Sequence, residues 1–129
     1  MQYNLPADLQ YVETDEWLRI EGDEAIVGIT DYAQSALGDI VFLELPEVGD
    51  TFTAGQTYGV IESVKASSDL YAPVDCEVLA VNSPLIDNQE PINSDPYGDG
   101  WMLRIKITGG TDQLLDVAAY TKSVEERDH

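Results

Sequence analysis

The sequence predicts a fold dominated by β-strands, arranged as a sandwich or barrel, with a short helix near residues 31–37 and a C-terminal helix. Turn-forming residues recur at short intervals along the 129 residues. Between them lie short runs in which apolar and polar side chains alternate, which is the period of a half-buried strand. A chain of this length is expected to form one domain, residues 1–129, around one core.

Seven runs satisfy the strand pattern, and turn-forming residues separate them. The first two are joined by Gly22-Asp23, which is the arrangement of a β-hairpin. The third ends at Pro46. The seventh follows a long polar loop, residues 82–100, that contains three prolines. The predicted strands cover residues 17–21, 25–29, 40–45, 58–62, 69–71, 77–81 and 101–107.

Two segments carry helical signals. Thr30 and Asp31 offer a side-chain cap to a two-turn helix over residues 32–37, and Gly38 can end this helix in the left-handed conformation. The second helix is expected to start near Thr111-Asp112. Its apolar face is predicted to contain Leu114, Leu115, Ala118 and Ala119.

The charge balance restricts the possible partners. The chain has 25 acidic and 6 basic residues, a net charge of -19 and a pI near 4.1. Nucleic acids and anionic membranes both require a basic surface, so neither is expected as a partner. A macromolecular partner should present a basic face, and salt should weaken the association.

The cysteine content and the N-terminus indicate the compartment. Cys76 is the single cysteine and cannot form an internal disulfide, which favours a reducing environment. Residues 1–6 resemble neither a signal peptide nor a transit peptide, and no apolar run reaches membrane-spanning length. Cytoplasm is therefore expected, or the mitochondrial matrix if a transit peptide was removed.

Several kinds of catalytic and metal site are excluded by composition. His129 is the single histidine, so catalytic triads, Cys–His pairs and histidine-based zinc sites are not available. A calcium loop starting at Asn93 fails because Arg104 occupies the position of the bidentate glutamate. We therefore predict no catalytic residue and no metal site. One cluster offers carboxylates for acid–base chemistry, but in so acidic a chain a solvated surface explains it better: Glu13, Asp15 and Glu16.

Lys65 is the only cation between Arg19 and Arg104 and has three possible roles. It can be an ordinary exposed lysine at a hairpin tip. A nucleophilic amine would need a lowered pKa, but Glu62 and Asp69 flank the residue and favour the ammonium form. As an acylation site, it has the small neighbours that a modifying enzyme needs, and an acylated lysine makes a long flexible arm. Composition alone leaves the first role about even with any functional role.

Five segments together carry a resemblance to a known family. They are ESVKASSDLYAP at 62–73, GITDYAQ at 28–34, LGDIVF at 37–42, LP at 45–46 and NSDPYGDGWM at 93–102. Taken together, in their order along the chain, they strongly resemble the H protein family of the glycine cleavage system, and the match runs nearly end to end. Biotin carriers differ, because methionines typically flank their lysine.

The resemblance implies a lipoyl/biotinyl-type flattened β-sandwich, or hybrid barrel, with lipoate joined to Lys65 by an amide bond. It implies a monomeric carrier that serves three enzymes. A glycine decarboxylase (P protein) loads an aminomethyl group, an aminomethyltransferase (T protein) passes its carbon to tetrahydrofolate, and a dihydrolipoyl dehydrogenase (L protein) reoxidises the dithiol. Glu62 is implied to contribute to recognition by lipoylating enzymes.

The resemblance also implies a cleft that shelters the loaded arm from water. Glu16 and Asp69 would hold the amine there, with Thr14 as a hydrogen-bonding neighbour. The family usually has histidine where this chain has Asp15. This departure leaves open a related role, a scaffold on which lipoate is assembled before transfer to other enzymes. An unmodified interaction domain is the further alternative.

Overall fold

The computed structural model describes residues 3–127, so His129 lies outside the described residues. The strands are β1 (Gln10–Tyr11), β2 (Glu16–Glu21), β3 (Glu24–Ile29), β4 (Ile40–Glu44), β5 (Thr51–Phe52), β6 (Thr57–Ser63), β7 (Ser67–Tyr71), β8 (Asp75–Val81) and β9 (Leu103–Gly109). The helices are α1 (Asp31–Leu37), α2 (Pro84–Asp87), α3 (Glu90–Ser94) and α4 (Val117–Arg127), with a 3-10 turn at Thr111–Gln113. No helix within residues 3–127 is long and apolar enough to cross a membrane.

The strands form two antiparallel sheets. One sheet has the order β1-β2-β3-β9-β8-β5, and the other has the order β4-β6-β7. The main buried cluster lies between the two sheets. It contains Leu18 and Val27 from the first sheet and Leu43, Ile61 and Leu70 from the second. The predicted β-rich class, with a short helix after the first hairpin and a helix at the C-terminus, is confirmed.

The first hairpin and α1 follow the predicted pattern. β2 and β3 pair along their full length. The Thr30 side chain accepts a hydrogen bond from the Ala33 N–H at 3.2 Å, which is the predicted N-cap. Gly38 ends α1 with φ 83° and ψ −157°, so its φ is positive but its ψ lies outside the left-handed helical region. Glycine is needed there because a side chain disfavours this backbone conformation.

The C-terminal helix starts later than predicted. Leu115 is not helical but pairs with Tyr11, through hydrogen bonds of 2.7 and 2.8 Å between the two backbones. The Asp116 side chain accepts the Ala119 N–H at 2.9 Å and caps α4. The predicted apolar face is therefore wrong, because an extended pairing competes with the helix at its first residues. The buried side chains of α4 are Tyr120 and Val124.

Two further differences concern the loops. Residues 82–100 contain α2 and α3, each with proline in its first turn, where the missing N–H costs nothing. Each helix buries one apolar side chain, Leu85 in α2 and Ile92 in α3. β9 begins at Leu103, two residues after the predicted start, and the two-residue strands β1 and β5 were not predicted.

A second apolar cluster lies between α4 and the start of β2. The Trp17 indole N–H donates to the Pro96 carbonyl at 3.1 Å. A Cβ on Gly28, the residue opposite Trp17, would lie 2.8 Å from the indole, so glycine makes room for this ring. This cluster fixes α4 beside the turn that precedes β2. Its fully buried members are Leu9, Tyr11, Trp17, Tyr120 and Val124.

Candidate functional site

Lys65 lies in the tight turn that joins β6 to β7. The Ser63 N–H donates to the Ala66 carbonyl at 2.8 Å and closes the turn. The Ser63 hydroxyl accepts the N–H groups of Lys65 and Ala66 at 3.3 and 3.1 Å. Ser63 therefore stabilises the turn through both its backbone N–H and its side-chain hydroxyl.

The tip is open to solvent on the side where the lysine stands. Lys65 is exposed, and the preceding Val64 is 72% exposed. The Val64 N–H donates to the Asp39 carbonyl at 3.1 Å, which ties the tip to the segment after α1. The Lys65 Cε lies 3.5 Å from the position a Cβ would take on Gly38. The lysine stem therefore runs beside the end of α1.

The ammonium group of Lys65 makes no salt bridge with an acid among residues 3–127. Within residues 3–127 the salt bridges are Arg104–Glu24 and Arg127–Asp15. A free, exposed amine with small residues on its C-terminal side is accessible to an enzyme that must grip and modify it. The structure thus confirms the predicted hairpin-tip position, which the exposed-lysine and acylation interpretations share.

A cleft of about 170 Å³ opens beside the hairpin, between the Thr14–Glu16 turn, α1 and β7. It brings together three predicted site residues, Thr14, Glu16 and Asp69. Ser68 also faces this space, and sequence reasoning missed it because small polar residues in strands carry little signal. The remaining lining comes from Asp15 and from apolar side chains: Ile29, Ala33, Ala36, Leu37, Ile61 and Leu70.

Glu16 is the buried acid of the cleft, with 1% of its surface exposed. The Thr14 hydroxyl donates to Glu16 Oε1, and the Tyr71 N–H donates to Oε2 at 3.3 Å. Burial raises the pKa of the Glu16 carboxyl to about 8, although these two hydrogen bonds oppose the increase. Glu16 therefore carries a proton at neutral pH, and a cation that entered the cleft would favour the ionised carboxylate, so that the proton would be released to solvent.

Asp69 differs from Glu16 in its environment. It lies on β7 opposite Val60 and is exposed, so its carboxylate is hydrated. The two acids therefore present one buried carboxyl and one solvated carboxylate to the same space. A positive group in the cleft would meet one buried partner and one exposed partner.

The other members of the N-terminal acidic cluster have different surroundings. Glu13 is exposed and does not line this cleft. The Asp15 carboxylate lies against Arg127 at 2.8 Å. Glu13, Asp15 and Glu16 therefore do not form a pair of free carboxylates with one another, and the predicted solvated surface is wrong for Glu16, which is buried. Within residues 3–127, no group of three or more His, Cys, Asp or Glu residues could hold a metal ion.

Apolar side chains are exposed beside the lysine. The register of β4 against β6 shifts between Ile40 and Phe42, which leaves Val41 and Phe42 53% and 43% exposed. Phe42 pairs with Glu62, the exposed acid three residues before Lys65. The surface around the tip therefore combines apolar contacts with carboxylates.

Comparisons with known proteins agree with one another. The family model described as "Glycine cleavage H-protein" matches residues 9–127. The glycine cleavage system H protein of Rubrobacter xylanophilus is 54% identical over 96% of this chain and 98% of its own. The probable glycine cleavage system H protein of Haloarcula marismortui is 51% identical over 97% and 100%. The crystal structure of an H protein from Mycobacterium marinum is 40% identical, covers 92% of this chain and 97% of its own, and superposes with a TM-score of 0.86.

Proposed function

The chain belongs to the glycine cleavage H-protein family, and we propose that Lys65 is the residue that carries its lipoyl group. Members of this family are lipoyl carriers of the glycine cleavage system rather than enzymes, and this chain has the same role. One observation carries the assignment to Lys65. Its amine stands exposed at the tip of a tight turn, with no ion-pair partner among the described residues.

Lipoate joined to Lys65 as an amide would form an arm that reaches the cleft. The lysine stem already runs beside Gly38, and Leu37 lines the cleft immediately before it. Acylation converts the ammonium into a neutral amide. Because Lys65 makes no salt bridge with any described residue, the modification breaks no ion pair there. The arm can then swing between solvent, where other active sites reach it, and the carrier's own surface.

Inside the cleft, Glu16 is proposed to hold the amine of an aminomethyl-loaded arm, with Asp69 as a second acid and Thr14 supporting Glu16. An ammonium group near Glu16 favours the ionised carboxylate, so arrival of the arm would displace the proton that burial keeps on Glu16. The apolar lining limits water around the bond that must not hydrolyse.

The partners are proposed from membership of the system. They are a glycine decarboxylase, an aminomethyltransferase and a dihydrolipoyl dehydrogenase, together with lipoylating enzymes. Exposed Phe42 and Val64, with Glu62 beside them, support docking of a partner that has an apolar pocket and a basic rim. We propose that the carrier is monomeric and works in the cytoplasm.

The attachment site is tested by intact mass spectrometry of protein purified from its native cell. A lipoyl amide is expected on Lys65, and none on a Lys65→Arg variant. Lys122→Arg is the matched control, because Lys122 is also exposed but lies on α4. Unmodified Lys65 in every molecule would contradict the proposal. Lipoylated protein that glycine and the decarboxylase fail to load would instead support the lipoate-scaffold role.

The cleft is tested by the rate at which the loaded arm loses its aminomethyl group. Glu16→Gln keeps the shape of the side chain but removes the ionisable group. We expect faster loss from Glu16→Gln and a smaller increase from Asp69→Asn, because Asp69 is hydrated. Loss at the wild-type rate from both variants would exclude these residues from the mechanism.

A further inference from the structure

The C-terminal helix makes polar contacts with both walls of the cleft. Tyr120 is fully buried, and its hydroxyl lies 2.8 Å from Asp15 Oδ1 and 2.7 Å from Thr30 Oγ1. Asp15 belongs to the turn that carries Glu16, and Thr30 caps α1, which forms the opposite wall. One hydroxyl on α4 therefore bridges the two walls.

The donors and acceptors of this bridge have one consistent arrangement. A carboxylate only accepts, so the Tyr120 hydroxyl donates to Asp15. The Tyr120 oxygen then accepts from Thr30, whose own oxygen accepts the Ala33 N–H at 3.2 Å. Burial, and then the charge of Asp15, raise the pKa of Tyr120, so its hydroxyl keeps its proton. The chain of hydrogen bonds runs without a break from the backbone of α1 to Asp15, and each bond polarises the next.

Arg127, in the last turn of α4, adds a second connection. Its guanidinium donates to both oxygens of Asp15, at 2.8 and 3.2 Å, and lies 5.1 Å from the ring centroid of Tyr32 in α1. Two-point contact fixes the orientation of the carboxylate as well as its position. Arg127 therefore also contacts both walls.

The turn that these side chains hold has an uncommon backbone conformation. Asp15 has a φ of 77°, which costs free energy for a residue with a side chain and persists only when its surroundings enforce it. The backbone itself ties the turn to α1 through the Thr30 N–H and the Asp15 carbonyl, at 3.0 Å. Tyr120 and Arg127 supply the side-chain contacts that hold Asp15 in place.

We propose that α4 acts as a clamp that sets the separation of the cleft walls, and that Asp15, Tyr120 and Arg127 are positioning residues for the arm held there. The clamp acts through the turn, because any shift of Asp15 moves the adjacent Glu16. This inference rests on the proposed function, since the cleft must receive the arm for the clamp to affect chemistry.

The stacked tyrosines of the second apolar cluster provide a matched pair of variants. Tyr11 and Tyr120 are both fully buried and stack with centroids 4.6 Å apart and planes at 4°. The Tyr11 hydroxyl donates to the Pro6 carbonyl at 2.6 Å and contacts neither cleft wall. Tyr120→Phe and Tyr11→Phe therefore each remove one hydroxyl from the same ring pair and keep the packing.

The rate of aminomethyl loss from the loaded protein separates the two variants. We expect Tyr120→Phe to lose the group about two- to tenfold faster than wild type, the range expected for loss of the hydrogen bond that positions Asp15, with Tyr11→Phe close to wild type. Arg127→Gln should also accelerate the loss. Arg127→Lys, which keeps the charge but not the two-point contact, should restore part of the protection. Equal rates for the two tyrosine variants, or no rescue by lysine, would overturn the clamp.

A measurement on unlipoylated protein tests the clamp independently of the arm. The Thr30 N–H should exchange with solvent hydrogen several-fold faster in Tyr120→Phe, because its own hydrogen bond to the Asp15 carbonyl is weakened when Asp15 loses the Tyr120 contact. In Tyr11→Phe it should exchange at the wild-type rate. If loaded wild type loses the aminomethyl group as fast as loaded Glu16→Gln, the proposed function of the cleft fails. The hydrogen-exchange measurement on unlipoylated protein then decides the clamp by itself. Unchanged Thr30 exchange in Tyr120→Phe would then refute it.

Discussion

The two turns that form the site are built in opposite ways. The Ser63–Ala66 turn exposes its central residues, and a backbone hydrogen bond from Val64 to Asp39 ties it to the segment after α1. The Thr14–Glu16 turn buries the Glu16 carboxyl and is held by bonds from Thr30, Tyr71 and two residues of α4.

This contrast separates two requirements of a carrier. The proposed arm on Lys65 must leave the protein surface easily, so the turn that carries it needs few contacts. The cleft that shelters the arm must keep one geometry, so the turn that carries Glu16 is buried and held by several hydrogen bonds. We expect substitutions to affect stability strongly in the buried turn and weakly in the exposed one.

Titration of Glu16 should give the largest stability effect. Its pKa is about 8 in the folded protein against 4.5 for the free side chain, so the folded state holds a proton that the unfolded state releases. This contribution to the free energy of unfolding is complete below pH 4.5 and is lost as pH rises to 8. The loss is roughly 3–5 kcal/mol, at about 1.4 kcal/mol per pH unit.

The measurement is chemical denaturation of wild type and Glu16→Gln from pH 4 to 9. The difference between the two curves should grow across this window in favour of the variant. Glu44→Gln, which removes an exposed carboxyl from β4, is the control and should follow wild type. Parallel curves for wild type and Glu16→Gln would show that the buried carboxyl is not protonated at neutral pH.

Ser63→Ala should have an intermediate effect in the exposed turn. Ser63 is 8% exposed, and its hydroxyl accepts two backbone N–H groups. Its loss should lower the free energy of unfolding by about 1 kcal/mol, because these groups regain water only in part. Urea denaturation gives the value, and Ser67→Ala, at an exposed position of β7, should change it little. If Ser63→Ala lowered the free energy of unfolding by more than substitutions in the core do, the exposed turn would not be the less stabilising of the two turns.

Lys65→Arg should have the smallest effect on stability. The side chain is exposed and makes no ion pair among residues 3–127, so the free energy of unfolding should stay within about 0.5 kcal/mol of wild type. The same variant is expected to lose lipoylation completely. A clear loss of stability on thermal unfolding would mean that the lysine supports the fold and is not free to carry an arm.

Local patterns predicted the exposed turn better than the buried one. The β6–β7 turn, the Thr30 cap and the first hairpin depend on residues close in sequence, and each was predicted from them. The approach of Asp69 to Thr14 and Glu16 was expected from the family resemblance, since no local pattern links residues more than fifty positions apart. The roles of these residues remain predictions.

The contacts that sequence reasoning missed are long-range. Tyr120 and Asp15 are 105 positions apart, and Arg127 and Asp15 are 112 apart, so neither pair leaves a periodic signal. The wrong start of α4 has the same origin. Leu114 and Leu115 fit an amphipathic helix, but the backbone of Leu115 finds a better partner in Tyr11, which only the tertiary fold brings near.

The burial of Cys76 in β8 has a consequence for redox chemistry. Its side chain is 2% exposed, and burial raises the pKa of the thiol to about 11. Disulfide exchange requires an accessible thiolate, and Cys76 offers neither the access nor the ionised form. A carrier whose proposed cofactor alternates between disulfide and dithiol would be inactivated by a mixed disulfide with its own scaffold. Because Cys76 is buried in the core, its thiol does not react with the proposed lipoyl group as that group cycles between disulfide and dithiol.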